Sequence, residues 1–407
     1  MGSTGIEPLR GAAPRVAVVG GSIGGLTAAL VLRSIGCEVD VHERASAPLE
    51  GRGAGIVLHR ETLRWPTGPG GVPVERISTP CRFLRFLARD GSVAYERPSD
   101  LRFTAWNTLY RHLLADFGEE RYHRGAAADD VGQSAAGAEV RLAGGATAAA
   151  DLVVAADGID STVRRRLMPE VGLRPAGYVG WRGLVDEEDL PGEVVAALAD
   201  GITYFAAPGT HIVVYPIPDA VGEVAPGRRR VNYVWYRNLD VPELDALLAD
   251  GEGGRRPSVP PGGVPEAQAE ALRAAARGEL PAPLAAVVAA TAQPFVQAIA
   301  DLASPRVAVG RVAVIGDAAF VARPHAAAGT AKACADAWAL GAALAAAGGD
   351  VEAALRAWEP RRLEVGRALV ERAATNGDRS QFGGGWTPGD PSLAFGLYRP
   401  GDSEGGW

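Results

Sequence analysis

Residues 15–19 (RVAVV) are a short apolar run that stops at Gly20 and Gly21, a pattern that predicts a buried strand running into a tight turn. Apolar positions then recur at helical spacing through Ile23, Leu26, Ala29 and Leu30 until Gly36, and the valine-rich alternation of 38–43 (EVDVHE) predicts a second strand. Together these form a βαβ opening within about 30 residues. Further along, 82–97 read as a hairpin around Asp90-Gly91, 106–117 as a helix, and 151–156 as a buried strand that stops at Asp157-Gly158. From about 176 to 240 the period changes to two, in GYVGWRGLV, ITYFAA, HIVVYPIP and RVNYVWYRN. That stretch predicts an antiparallel sheet inserted into an α/β frame. Helical patterns follow at 265–277 and 283–301, then a buried strand and turn over 310–319, an alanine-rich helix to about 347, and a last helix over roughly 351–375. The glycine- and proline-rich stretches 66–73 and 250–264 are expected as exposed loops.

Composition narrows this picture without changing it. At 407 residues, two interleaved domains are expected, and 47% hydrophobic with 22% charged residues is the balance of a globular chain. A net charge of −7 and arginines without a basic stripe speak against nucleic acid as a partner. No uncharged apolar run approaches the length of a membrane span, and no signal segment is evident over 1–14, so no membrane association is expected. Three cysteines without metal-ligand spacing suit a reducing cytoplasm and leave no metal site to expect.

Three segments carry candidate chemistry. In VAVVGGSIGG the positions Gly20, Ser22 and Gly25 stand where a dinucleotide fingerprint needs a tight turn, a close backbone approach to pyrophosphate and a close helix–strand contact. Serine replaces the middle glycine, and its hydroxyl is able to donate to a phosphate. Glu43 ends the second strand 23 residues after Gly20, where a carboxylate accepts from a ribose diol. The second segment, AADGIDSTVRRRL, places Asp157, Gly158 and Arg164 after a buried strand; alone it reads equally as a turn and helix cap. The third, VAVIGDAAFVARPHAAAG, ends a strand at Asp317 and leads through Pro324 to a new helix at Gly329.

In this order and spacing, the three segments, spread over nearly the whole chain, resemble the single-component FAD-dependent aromatic hydroxylases, the para-hydroxybenzoate hydroxylase family. The resemblance implies a Rossmann-like FAD-binding domain interleaved with an antiparallel β-sheet substrate domain and followed by a C-terminal helical segment. It assigns 1–75, 101–180 and 302–375 to the first, 76–100 and 181–301 to the second, and 376–407 to a C-terminal extension. It implies tightly but non-covalently bound FAD, NADPH or NADH as transient reductant, and O2 as co-substrate. One oxygen atom is then delivered to an electron-rich small aromatic or enolic molecule through a C4a-hydroperoxyflavin. Gly20, Ser22, Ile23, Gly25, Glu43 and Arg44 would hold the ADP half, and Arg111 the pyrophosphate. Asp157, Gly158 and Arg164 match the second motif, Asp317 the ribityl contact, and Gly55, Pro324, Ala328, Gly329 and Thr330 the flavin surroundings. After GAGIVL (53–58) the family's usual Pro-Asn-Ala helix is missing, so the loop at the flavin edge is expected to differ.

A substrate hydroxyl calls for a base, and His211 and His325 are the candidates by location. Tyr204, Tyr215 and Trp235, on the inserted strands, are candidates for an aromatic pocket, although alternation places them in the core equally well. Alternatives are a flavoprotein oxidase or halogenase and a non-catalytic FAD-binding protein; the halogenase signature Trp-x-Trp-x-Ile-Pro is missing. The assembly is expected to be a monomer or homodimer.

Overall fold

The computed structural model describes residues 5–9, 11, 13–50, 54–249 and 256–405. Strand Arg15–Val19 forms as expected and pairs in parallel with Glu38–Glu43 on one side and Leu152–Ala155 on the other. Val312–Val314, Tyr122–Arg124 and the antiparallel Ala308–Val309 complete a six-stranded sheet. Leu152–Ala155 and Val312–Val314 are buried throughout and show no polar alternation, as expected of parallel strands covered on both faces. Helix Ile23–Ser34 packs between the sheet and helix Gly329–Ala346, so tightly that a Cβ on Gly341 would come 2.4 Å from Val31. Parallel pairing brings Gly20, Glu43, Asp157 and Asp317, some 300 residues apart at the extremes, to the same edge of the sheet.

The second sheet is the expected insertion, largely antiparallel, with the central order Phe295–Ala303, Arg174–Asp186, Arg230–Asn238, Thr210–Ile217, Gly201–Ala207. Phe83–Leu87 and Val93–Pro98, the expected hairpin, extend it beyond Gly201–Ala207. Helices Gly192–Leu198, Glu266–Glu279 and Ala282–Ala290 bury one face. The other face carries Tyr178, Tyr204, Tyr215 and Tyr236 toward the paired strands Gly55–Val57 and Arg102–Ala105 and the C-terminal segment.

Four expectations need correction. The helical pattern over 283–301 is two elements, helix Ala282–Ala290 and strand Phe295–Ala303, because Pro294 interrupts it and the second half finds a long partner in Arg174–Asp186. The boundary expected at 180 cuts that 13-residue strand. The boundary expected at 375 cuts helix Val351–Gln381, capped at its start by Asp350. Of the loop expected over 250–264, 250–255 lie outside the described residues, and Ser258–Val259 pairs with Phe295–Ala303 as a short edge strand. Among the described residues no helix is long and apolar enough to cross a membrane.

Candidate active site

At the sheet edge, Gly20 (φ 100°) turns the chain, and a Cβ there would fall 2.4 Å from the Ala156 carbonyl oxygen. A Cβ on Gly25 would lie 1.9 Å from the Gly20 oxygen, so both outer fingerprint positions require glycine. Glu43 accepts from the Gly21 and Ala45 amides at 2.9 and 2.8 Å, which holds its carboxylate beside the turn. Gly20, Ser22, Glu43, Asp157 and Gly158 line one cavity of about 340 Å³, with exposed Arg44 at its rim. Helix Ile23–Ser34 begins there without a side-chain cap bond or an acid in its first turn, which leaves its positive end for an anion. Ile23 itself is 3% exposed and packs into the core, so its side chain does not face the cavity as expected.

The second and third motifs meet through Arg164. Its guanidinium is buried and donates to the carbonyl oxygens of Ile159 (2.7 Å) and Ala318 (3.0 Å). It thereby braces the ends of two strands against each other. Asp157 accepts from Ser161 Oγ at 2.5 Å and the Val163 amide at 3.2 Å, and burial raises its pKa. Arg111 donates to the Ala220 carbonyl at 2.7 Å and clasps the loop between two strands of the large sheet.

From Val312 to Ala335 only Asp317 and Gly329 are exposed, which makes their edge of the sheet the candidate slot for a flavin. The surrounding protein atoms raise the Asp317 carboxyl pKa by desolvation, with the Lys332 ammonium opposing. Pro324 starts a short 3₁₀ turn that ends at Ala327, a non-glycine residue in the left-handed region (φ 52°) that costs about 1–2 kcal/mol. The Ala327 oxygen hydrogen-bonds His59 Nε2 at 3.0 Å, a buried residue that sequence reasoning missed. Helix Gly329–Ala346 then starts without a side-chain cap or acid, with Ala328 buried and Thr330 half-buried in its first turn. Across the slot, the Gly55 amide donates to Asn232 Oδ1 at 2.9 Å, and a Cβ on Gly55 would strike the Tyr215 ring at 2.6 Å.

The structure brings His211 and His325 together, with ring centroids 5.8 Å apart. Tyr236 lies 4.3 Å from His325, Tyr204 5.7 Å from His211, and Trp386 4.4 Å from His211 and 5.7 Å from His325. Tyr178 Oη and His325 Nε2 are 2.9 Å apart, and Ser380 Oγ lies 3.0 Å from His211 Nδ1. Three buried ring nitrogens, His211 Nε2, His325 Nδ1 and Trp386 Nε1, have no partner. Buried polar atoms without partners are costly, and these three lie on rings packed against one another. Behind them buried Arg323 pairs with buried Asp301 (2.8 Å) and exposed Asp378 (2.6 Å), which fixes the loop carrying His325. Burial pushes the His211 pKa down to about 3 and that of His325 well below its ordinary value, which favours the neutral imidazole at both.

Tyr215 stacks on Phe103 (4.3 Å) and faces the slot beside Gly55. Trp235 is a correction, for it points to the opposite face, donates to Thr210 Oγ1 at 2.7 Å and packs under the covering helices. Trp386, from the C-terminal segment, was not expected.

A glycine turn, an acid and two uncapped helix starts at one edge of a parallel sheet are the features of a dinucleotide-binding oxidoreductase, with an aromatic cluster on the second sheet. Comparison with known proteins agrees. The family described as FAD binding domain-like matches residues 175–301. The chain is 39% identical to 2,6-dihydroxypyridine 3-monooxygenase of Paenarthrobacter nicotinovorans, over 94% of this chain and 96% of that protein. It is 30% identical to 3-amino-4-hydroxybenzoate 2-monooxygenase of Streptomyces cremeus over 87% and 85% of the two chains. The solved structure of 2,6-dihydroxypyridine-3-hydroxylase from Arthrobacter nicotinovorans superposes with a TM-score of 0.89 at 36% identity, covering 96% and 98%. The chain belongs to the family of FAD-dependent aromatic hydroxylases, flavoprotein monooxygenases that use NAD(P)H and O2.

Proposed function

We propose that this chain hydroxylates a small, electron-rich hydroxylated ring of the dihydroxypyridine type. The observation that carries this reading is the cluster of three unpartnered ring nitrogens of His211, His325 and Trp386 among the rings of Tyr204 and Tyr236, beside the strained turn at Ala327. A heteroaromatic ring with hydroxyl or carbonyl substituents satisfies all three nitrogens at once, whereas an apolar ring leaves them unpaired.

Bound FAD supplies the activation of dioxygen and the oxygen atom that reaches the ring. Gly20, Ser22 and the first turn of the helix opening at Ile23 hold its pyrophosphate, Gly25 permits the close helix contact, and Glu43 takes the ribose. Asp157 and Gly158 border the same cavity, and Arg44 guards its rim. Asp317 takes the ribityl hydroxyls, and Pro324 to Thr330, facing Gly55, present backbone to the flavin ring. Neutral His211 and His325 orient the substrate's oxygens, Tyr178 and Ser380 fix the two imidazoles, and Trp386 closes the cleft against water. A division into a cofactor part and a substrate part fits the two sheets when its boundaries fall at the ends of strand Arg174–Asp186 and helix Val351–Gln381. The three free, buried cysteines support a cytoplasmic location.

The test is NAD(P)H oxidation by the purified flavoprotein with 2,6-dihydroxypyridine and with 3-amino-4-hydroxybenzoate, read together with product mass. Stimulated oxidation with a product heavier by one oxygen atom is expected. Peroxide as the sole product with every hydroxylated ring would refute the reading.

A further inference from the structure

Lys332 is the only lysine among 407 residues, and it is buried (1% exposed) in the first turn of helix Gly329–Ala346. Its Nζ donates to the Gly316 carbonyl oxygen at 2.9 Å and to Asp336 Oδ2, one turn along the helix, at 2.8 Å. The same Asp336 oxygen accepts from the Gly316 amide at 3.1 Å. Lysine and aspartate together therefore claim both backbone polar groups of one residue. That residue has φ 59°, and a Cβ on it would lie 3.2 Å from the Ala333 Cβ, so the turn is held against the helix with little slack. Arg362 stands 3.5 Å from the other Asp336 oxygen, and Trp358 Nε1 donates to the Asp336 carbonyl, so the aspartate cannot swing away. The next residue in the chain is Asp317.

We propose that Lys332 is a positioning residue for the cofactor: with Asp336 it clamps Gly316 and thereby sets where the Asp317 carboxylate stands in the slot. The inference rests on the assignment of Asp317 to the flavin half of FAD. A compact ammonium suits the role because one nitrogen must reach a carbonyl and a carboxylate on the same side of one helical turn, under the Phe320 ring 5.1 Å away. A guanidinium is longer and planar and does not fit that triangle, which accounts for a lone lysine in a chain that otherwise spells its cations as arginine.

The test compares FAD with ADP on the FAD-free full-length protein, because ADP engages only the Gly20–Glu43 end. Dissociation constants for both are read by tryptophan fluorescence in wild type, Lys332→Arg, Lys332→Met and the double variant Lys332→Met/Asp336→Leu, which removes both buried charges. FAD affinity is expected to fall about tenfold or more in each variant while ADP affinity changes less than about twofold. Equal weakening of FAD and ADP would make the clamp a general support of the fold and overturn the proposal. So would unchanged FAD affinity, or failure of all three variants to fold. Wild-type protein that takes up ADP but not FAD would instead overturn the flavin assignment on which the inference rests.

Discussion

Substituting Gly25 by alanine tests the architecture of the cofactor edge directly. The new Cβ would stand 1.9 Å from the Gly20 oxygen, against an ordinary contact of 3.4 Å or more, so the helix start must retreat by about 1.5 Å. Little room exists behind it, because the same helix already meets Gly341 at Val31, where a single added Cβ would lie 2.4 Å away. Overpacking of this kind costs about 1–3 kcal/mol, and the retreat also draws the first-turn amides away from the phosphates they would hold. Losing one such charge-assisted bond costs a further 1.5–3 kcal/mol in cofactor binding, about 10- to 100-fold in dissociation constant. The assay is FAD titration of the FAD-free protein beside a urea melt. Gly278→Ala is the control, since that glycine has open space around it, lies in a helix and is expected to stabilise by about 0.5–1 kcal/mol. A Gly25→Ala protein that binds FAD as tightly as wild type would refute the reasoning.

Two further outcomes follow from the cleft. His211 and His325 have folded pKa values depressed below the ordinary value near 6.5, so below that pH the unfolded chain binds protons that the folded chain refuses. Stability is therefore full above about pH 6.5 and falls as pH drops, by about 1.4 kcal/mol per unit for each histidine. Urea midpoints at pH 7.5 and 5.0 should show a smaller difference in His211→Gln/His325→Gln than in wild type, and equal differences would contradict the burial argument. Trp386→Ala should raise KM for a hydroxylated ring by about tenfold with little change in urea midpoint. Trp235→Phe, which strands the Thr210 hydroxyl on the far face, should cost about 1–2 kcal/mol of stability and leave KM alone. The reverse pattern would mean that the two faces have been assigned the wrong way round.

The parallel edge was legible because each strand there is a short buried run that ends in glycine or aspartate, a signal local enough to survive in one sequence. The face of the antiparallel sheet was not. Both of its faces are buried, so neighbours such as Trp235 and Tyr236 look alike in sequence while pointing opposite ways. Parity is set by register: His211 pairs with Tyr236, and that pairing, not hydrophobicity, decides which ring reaches the cleft. Trp386 was illegible for another reason. It sits in a glycine-rich segment without periodicity and gains its role only by packing on side chains far away in sequence, His211 and His325. The second half of 283–301 was misread because alanine fits helix and strand alike, and tertiary pairing with Arg174–Asp186 decided.

The motif arginines and the lone lysine show what a resemblance transfers. Arg164 donates to the Ala318 oxygen and Lys332 to the Gly316 oxygen, so two buried cations flank Asp317 and fix the residue on each side of it. Among the described residues the Asp317 carboxylate itself makes no hydrogen bond, and it is exposed to the slot. Burying cations is expensive unless their donors are satisfied, and here backbone carbonyls satisfy them. Arg164 thus ties the second motif to the third, while Asp157 and Gly158 of the same motif line the cavity beside Gly20. An Arg164→Met variant should then resemble Lys332→Met, losing FAD more than ADP. Loss of both in equal measure would make Arg164 a general support of the fold.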